Sequence, residues 1–255
     1  MDKTVSSVEE AVADIGDGAR LAVGGFGMVG VPIRLIQALN KLGSTNLETT
    51  SNNLGIKGEG LGLLLSAGQI RRSTASFVGD NTEFARRYLE GDIELELTPQ
   101  GSLAERLRAG GSGIPAFYTP TGVGTLIAEG GLPIRYGADG SVVLASEPKE
   151  VRVFDGAEYV LERAITADFA LVRAARGDRH GNLIFATSAR NFNVVAAMAG
   201  RITIAEVEEL VEPGELDPND IQLPGIFVQR VVEVDSDGKL IEYPTTRPRP
   251  SEESS

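Results

Sequence analysis

Cysteine and tryptophan are absent from this 255-residue chain, and histidine occurs once, as His180. Without cysteine there is no disulfide, no thiolate metal site and no thiol nucleophile, a usage that fits a reducing compartment. A single imidazole has no second His or Cys beside it to complete a metal site, and Asp178-Arg179-His180-Gly181-Asn182 reads as a solvent-exposed turn. Basic residues are also scarce, 24 against 36 acidic, for a formal charge of −12. That balance disfavours phosphate backbones and anionic lipid, so neither nucleic acid nor membrane is an expected partner. No apolar run approaches the roughly 18 residues of a membrane span. Met1-Asp2-Lys3-Thr4 lacks the charged-then-apolar pattern of an export signal, and a cytoplasmic location is the expectation.

What remains is a globular composition, 42% apolar and 24% charged, with aromatics at 5% and 31 glycines. A chain of this length can bury roughly 70–75% of its unfolded surface. So many glycines beside an ordinary apolar fraction imply many tight turns and close backbone approaches.

Ser7-Val8-Glu9-Glu10 is a capping box, and Val8, Ala11, Val12 and Ile15 follow at helical spacing. Arg20 to Val23 reads as a short buried strand running into Gly24-Gly25-Phe26-Gly27-Met28-Val29-Gly30. Pro32 then stands where a first helical residue belongs, and Ile33, Ile36, Leu39 and Leu42 carry that helix to Gly43. Strand character recurs at Leu47 to Ser51, Ile70 to Val78 and Ile93 to Leu97, with helices at Thr82 to Leu89 and from a second capping box, Ser102-Leu103-Ala104-Glu105, to Gly110-Gly111. Strand and helix trading places at this interval implies right-handed βαβ units and an open, mainly parallel sheet flanked by helices, an α/β fold. Between about 134 and 162 the pattern changes to short strands joined by Asp139-Gly140 and Asp155-Gly156, which predicts a small hairpin-rich insertion. Phe169 to Arg173, Leu183 to Ala186, Arg201 to Val207 and Phe227 to Val234 supply later strands, and Asn191 to Met198 is helical. One domain over 1–234 is expected, with 235–255 a polar, proline-studded tail lacking the apolar content to order itself.

Gly25-Phe26-Gly27-Met28-Val29-Gly30 satisfies G-x-G-x-x-G between a strand and a helix, the setting of a dinucleotide fingerprint. Such a site also wants an acidic residue at the tip of the second strand, whereas here that strand ends in Ser51-Asn52-Asn53. Close packing of strand, turn and helix explains the glycines equally well, and the motif alone leaves both readings open.

A longer pattern says more. Asp17-Gly18-Ala19-Arg20-Leu21-Ala22-Val23-Gly24-Gly25-Phe26-Gly27-Met28-Val29-Gly30-Val31-Pro32 resembles the amino-terminal signature of the family I CoA-transferases. Ser51-Asn52-Asn53, Gly60 to Leu65, Glu96 to Gly101, Gly113 to Thr125 and Ala189-Arg190-Asn191-Phe192-Asn193 look, in that order, like the alpha subunit of 3-oxoacid CoA-transferases over about residues 5 to 234. The resemblance implies the CoA-transferase or isomerase-like version of the α/β fold. It also implies transfer of CoA from succinyl-CoA to a 3-oxo acid such as acetoacetate, with 3-oxoadipate or short fatty acids as alternative acceptors. In that family the thioester is attacked by a glutamate from a Ser-Glu-Asn-Gly motif on the beta subunit. Nothing in this chain matches the motif: Ser146-Glu147 precedes Pro148, Ser251-Glu252 lies in the tail, and Glu59 lacks the flanking asparagine. The resemblance therefore implies half an enzyme, with no catalytic nucleophile of its own, inactive without a beta subunit, with which it forms an α2β2 heterotetramer. It implies no metal and no redox cofactor, CoA being a substrate held mostly by the beta half.

By the same resemblance Asn52, Asn53 and Gln100 line the pocket for the organic acid, and Gly24, Gly25 and Phe26 wall the cleft. Each amide is predicted at the carboxyl end of a strand, where open α/β sheets place ligands. Neutral amides orient a carboxylate without quenching its nucleophilicity as an arginine clamp does. The plainer reading, Asn52-Asn53 turning the chain and Gln100 capping a loop, stays open. Gly110 to Gly124 suits a rigid loop over the site or at a subunit contact, and an ordinary surface loop reads alike. Arg71-Arg72 and Arg86-Arg87 could meet CoA phosphates, though arginine pairs in an acidic protein commonly meet carboxylates. Two rival functions remain at this stage, a nucleotide-dependent oxidoreductase and a non-catalytic module sensing sugar phosphates or acyl-CoA.

Overall fold

The computed structural model of the chain describes residues 1–79 and 81–236. Most of the expected tail, 237–255, lies outside the described residues. In chain order the elements are α1 (Val8–Val12), β1 (Arg20–Val23), α2 (Ile33–Leu42), β2 (Leu47–Ser51), α3 (Leu61–Ser66), β3 (Ile70–Ala75), α4 (Thr82–Leu89), β4 (Glu94–Leu97) and α5 (Gln100–Gly111). They continue as β5 (Ala116–Thr119), α6 (Leu126–Glu129), β6 (Pro133–Tyr136), β7 (Val142–Ala145), β8 (Val151–Phe154), β9 (Ala157–Arg163), β10 (Ala167–Asp178), β11 (Leu183–Ile184), α7 (Asn193–Ala199), β12 (Gly200–Val211) and β13 (Arg230–Glu233).

Local chemistry sets these bounds. The Ser7 side chain accepts from the Glu10 N–H and caps α1, while the Glu10 carboxylate reaches back to the Ser6 N–H at 2.8 Å. Ile33, Leu35, Ile36, Ala38 and Leu39 give α2 one buried face, and Gly43 at φ 82° ends it by donating to the Leu39 carbonyl. Pro32 is the residue before that helix rather than its first member.

The main sheet runs β13-β12-β10-β1-β2-β3-β4, every neighbouring pair parallel, with β11 added antiparallel to β10. Helices cover both faces, as an all-parallel sheet requires. On one side Leu21, Val23 and Leu171 meet α1, α2, α3 and α4 through Val12, Ile36, Leu64 and Phe84. On the other, Ala22, Ala170 and Val172 meet α5 and α7 through Leu103, Leu107, Ala196 and Ala197. Consecutive residues of β1 thus belong to different cores, the period-two signature of a strand buried on both faces.

The second face is incompletely covered over β2 to β4, and its chemistry changes accordingly. Arg72 pairs with Glu94 at 3.2 Å and Glu96 at 2.9 Å, and Arg106 of α5 reaches Glu96 at 2.7 Å. Beyond this face the chain forms β5-β9-β8 and β6-β7, both antiparallel. Asp139-Gly140 and Asp155-Gly156 sit at the tips of the β6-β7 and β8-β9 hairpins, with Gly140 and Gly156 at φ 78° and 80°.

Several boundaries differ from the sequence reading. Ser102 does not cap a helix: α5 starts at Gln100, after Pro99, and Ser102 is buried inside it with its Oγ unbonded. Proline at the entry, with no N–H to satisfy, takes the place of a side-chain cap. β3 stops at Ala75 rather than Val78, β11 is two residues long, and the last strand begins at Arg230 because Gly225–Phe227 forms a 3₁₀ turn. Thr187–Arg190 is likewise a 3₁₀ turn ahead of α7.

Candidate functional site

Because β1, β2, β3 and β4 run parallel, their carboxyl ends share one edge, and the segments the sequence singles out leave the sheet there. Gly24 follows β1 and donates its N–H to the Leu171 carbonyl of β10 at 2.9 Å, extending the ladder by one bond. The chain then closes a tight turn in which Phe26 and Val29 exchange N–H to carbonyl bonds of 3.0 Å each, Gly25 and Gly27 adopting φ of 115° and 59°. The loop after β2 repeats the construction, with Ile56 bridged to Glu59 and Gly55, Gly58 and Gly60 at positive φ.

Between the two loops lies a narrow slot with about 10 Å³ of open space, room for about one water molecule, lined by Gly24, Gly25, Gly27, Val31, Ser51, Asn52, Asn53, Gly55 and Leu61. Four of the six candidate residues, Gly24, Gly25, Asn52 and Asn53, therefore share one recess. Asn52 is buried, and its Oδ1 accepts from the Gly27 N–H at 3.3 Å while its Nδ2 donates to Ser76 Oγ at 2.9 Å. It thus ties the glycine turn after β1 to the end of β3. Asn53 is half-buried, its carbonyl accepts from Ser51 Oγ, and its side-chain amide has no hydrogen bond among the described residues. An amide with both ends uncommitted, at the wall of a slot, can accept or donate to an incoming polar group.

The other two candidates stand apart. Phe26 is 44% exposed at the tip of its turn and does not line the slot. Gln100 is the exposed first residue of α5, and the Thr98 N–H bonds the Ala75 carbonyl, so it belongs to the end of β4. Two strand spacings, roughly 10 Å, separate that position from Asn52.

Size alone does not mark a site. A larger recess of about 280 Å³ opens on the uncovered sheet face, lined in part by Arg20, Arg72, Arg106, Glu48 and Glu96. Its guanidinium groups are already engaged by Asp168, Glu94 and Glu96. Arg71 pairs with Glu48, Arg86 with Glu90 and Arg87 with Glu83, so both arginine doublets meet carboxylates of their own chain. His180 is exposed on the Asp178 turn, its N–H bonded to Asp178 Oδ1 at 2.9 Å. Among the described residues no group of His, Cys, Asp and Glu could hold a metal ion, and no helix is long and apolar enough to cross a membrane.

Two features escape the sequence reading. Asn193, fully buried at the start of α7, donates through Nδ2 to the Gly30 carbonyl at 2.9 Å and accepts through Oδ1 from the Arg173 N–H at 3.0 Å. Glu206 of β12, also fully buried, accepts the Leu35 N–H at 2.9 Å and faces Arg173 Nη1 at 3.4 Å. Burial pushes its carboxyl up to about 7, against the pull of the Leu35 N–H and the Arg173 guanidinium. The only sequence signal for Glu206 is a carboxylate inside Ile202-Thr203-Ile204-Ala205-Glu206-Val207, an otherwise apolar strand.

Glu206 bears on the dinucleotide reading. A bound pyrophosphate needs free N–H groups at the first turn of the helix after the glycine loop. Here the Glu206 carboxyl accepts from that turn, so the Leu35 N–H is not free for a phosphate.

Comparison with known proteins identifies the family. The family described as Coenzyme A transferase matches residues 5–234. A protein from Mycobacterium tuberculosis, named as one subunit of a probable succinyl-CoA:3-ketoacid coenzyme A transferase, is 62% identical over 247 residues, 97% of this chain and 100% of that one. Human succinyl-CoA:3-ketoacid coenzyme A transferase 2, mitochondrial, is 54% identical over 233 residues, 91% of this chain but 45% of its own length. Among solved structures, an acyl-CoA transferase from Escherichia coli O157:H7, in a thioester complex with CoA, superposes with a TM-score of 0.78 at 25% identity. It covers 97% of this chain and 50% of that one. The chain thus spans about half the length of the latter two proteins.

Proposed function

The chain belongs to the Coenzyme A transferase family, and from that membership we propose that it is the alpha subunit of an enzyme moving CoA from succinyl-CoA to a 3-oxo acid such as acetoacetate. The observation that carries this reading is the 62% identity to a protein named as one subunit of such a transferase, over that protein's whole length. A relative named as one subunit implies a partner, and the human relative is about twice as long as this chain, as expected where both halves form one polypeptide.

In this reading residues 1–234 act as one transferase domain with a hairpin-rich insertion at about 134–162, and the partner is a beta subunit, doubled to an α2β2 assembly in the cytoplasm. The partner's glutamate carboxylate attacks the succinyl-CoA thioester carbonyl, the C–S bond breaks, and an acyl-glutamyl anhydride and CoA thiolate result. The thiolate then attacks the glutamyl carbonyl and releases succinate, leaving a glutamyl-CoA thioester. The acceptor's carboxylate attacks that carbonyl and expels the CoA thiolate, giving an acceptor–glutamyl anhydride, and the thiolate then attacks the acceptor's acyl carbonyl, forming its CoA thioester and releasing the glutamate carboxylate. One thioester is exchanged for another, so no electron changes hands and neither metal nor redox cofactor is required.

The share of this chain is orientation. The uncommitted amide of Asn53 and the Asn52 strut offer hydrogen bonds to the acid from the slot, Gly24 and Gly25 keep the wall thin, and Gln100 and Phe26 border the approach. A carboxylate held by neutral donors keeps most of its nucleophilicity, whereas a full countercharge stabilises the ground state more than the transition state. The experiment is reconstitution. The purified chain is expected to be inactive and to gain succinyl-CoA:acetoacetate transfer on mixing with a partner carrying Ser-Glu-Asn-Gly. Robust turnover by the isolated chain, or a glutamyl adduct trapped on it with borohydride or hydroxylamine, overturns this division of labour.

A further inference from the structure

The turn of the glycine loop after β1 sets where the Gly27 N–H meets Asn52 at the slot. Two amides of the segment 188–193 bond its carbonyls. Asn191 Nδ2 donates to the Val29 carbonyl at 3.0 Å, and Asn193 Nδ2 donates to the Gly30 carbonyl at 2.9 Å and the Ala189 carbonyl at 2.8 Å. Asn193 Oδ1 accepts from the Arg173 N–H, which ties the same side chain to β10. Every hydrogen of this fully buried amide is used, and each bond has a defined direction.

The glycines record the same contact from the loop side. A Cβ on Gly24 would stand 1.9 Å from Asn193 Oδ1, and one on Gly30 would stand 2.8 Å from Asn193 Nδ2 and 2.6 Å from the Ala189 carbonyl oxygen. Gly27, by contrast, has open space where a Cβ would be, and is set by its φ of 59°. Gly24 is therefore glycine because Asn193 lies against it, whereas Gly30 is fixed as glycine by its φ of 70° and the Ala189 carbonyl as well as by Asn193. Behind it, Arg173 is 3% exposed and held by Glu208 through Nε and Nη2, with Nη1 toward Glu206, whose other oxygen receives the first turn of α2. Loop and helix are thus gripped at both ends, by Asn193 before Val31 and by Glu206 after Ile33.

We propose that Asn193 is a positioning residue of the acid site, clamping the loop 24–30 so that the Gly27 N–H and the Asn52 amide hold their arrangement at the slot. Its bearing on catalysis rests on the transferase reading above, whereas the clamp itself is a property of this chain alone.

The test combines hydrogen exchange with kinetics on the chain assembled with its partner. Asn193→Ala is expected to raise exchange in peptides covering 24–31 while β10 and β12 stay protected, and to lower kcat roughly tenfold with a smaller change in KM. Gly24→Ala places a methyl against Asn193 Oδ1 and is expected to lose activity. The double variant Gly24→Ala/Asn193→Ala removes that clash and is expected to be at least about threefold more active than the product of the single effects. Effects that simply multiply, or loop exchange unchanged in both single variants, overturn the proposal. Should Asn193→Ala fail to fold, Asn193→Asp, which keeps an acceptor for the Arg173 N–H but loses the donors to Gly30 and Ala189, is expected to raise exchange over 24–31, and unchanged exchange there overturns the proposal. Exchange on the isolated chain needs no turnover, so a wild-type assembly without transferase activity refutes the function and leaves the clamp separately tested.

Discussion

At the residue scale the amides around the slot differ in how many of their polar atoms are engaged. Among the described residues Asn52 is a strut between Gly27 and Ser76 with a second Nδ2 hydrogen unbonded, Asn193 is a fully bonded bracket, and the Asn53 side-chain amide has no hydrogen bond. Asn52→Ala is expected to lower turnover of the assembled enzyme about 10–100-fold, or about 1.4–2.7 kcal/mol of transition-state stabilisation, and Gln100→Ala similarly if its position at the approach matters. Steady-state kinetics with both acids measures this, and unchanged constants would make these amides structural. Glu206 carries a pH prediction. Its carboxyl titrates near 7 in the fold against 4.5 ordinarily, facing Arg173, the Arg34 side and the α2 N–H groups, with Glu208 on the far side of Arg173. The folded chain therefore keeps a proton that the unfolded chain releases near 4.5. The stability this lends is complete below that value and is lost as pH rises through about 7. Melting temperatures of Glu206→Gln are expected to vary less with pH between 5 and 8 than those of the wild type, and an equal slope in both would contradict the assignment. Of these residues Asn52 and Asn53 were legible from the blocks they sit in. Asn193 lay in such a block without a visible role, because being fully buried against a loop 163 residues away leaves no local trace.

At the scale of elements, local signals succeeded where one chemical cause dominates. The Ser7 box, the Gly43 exit and the limits of α4 all follow from caps and spacing. The reading failed at Ser102, where S-x-x-E has the right spelling but Pro99 had already admitted the chain to the helix three residues earlier. Tertiary packing then buried the hydroxyl without a partner. Since an unbonded buried hydroxyl costs stability, Ser102→Ala is expected to leave thermal stability unchanged or raise it by up to about 1 kcal/mol. A clear loss on denaturant unfolding would mean that the hydroxyl has a partner after all. The alternation of β1 and β10 between two cores explains why their apolar runs read so plainly as strands. β2 to β4 were recognisable for a different reason, since one side is core and the other a lattice of arginine and glutamate.

For the whole molecule the parallel sheet gathers at one edge what the sequence scatters over Gly24, Asn52, Ser76 and Thr98, bringing separated motifs together. The α/β class was readable from the alternation of elements, and the family from five ordered blocks. The distance between Gln100 and the slot was not, because it depends on how many strands intervene. The central claim is that this edge cradles an organic acid while a second polypeptide supplies the attacking carboxylate. A crystal structure of the reconstituted assembly, trapped with its glutamyl-CoA thioester and acetoacetate, tests it most directly. The account predicts the acid's carboxylate within hydrogen-bond reach, roughly 3 Å, of the Asn53 or Asn52 amide and beside the partner's glutamyl carbonyl. Acetoacetate and thioester found together elsewhere, for instance over Arg20, Arg72 and Arg106 on the open sheet face, would contradict it.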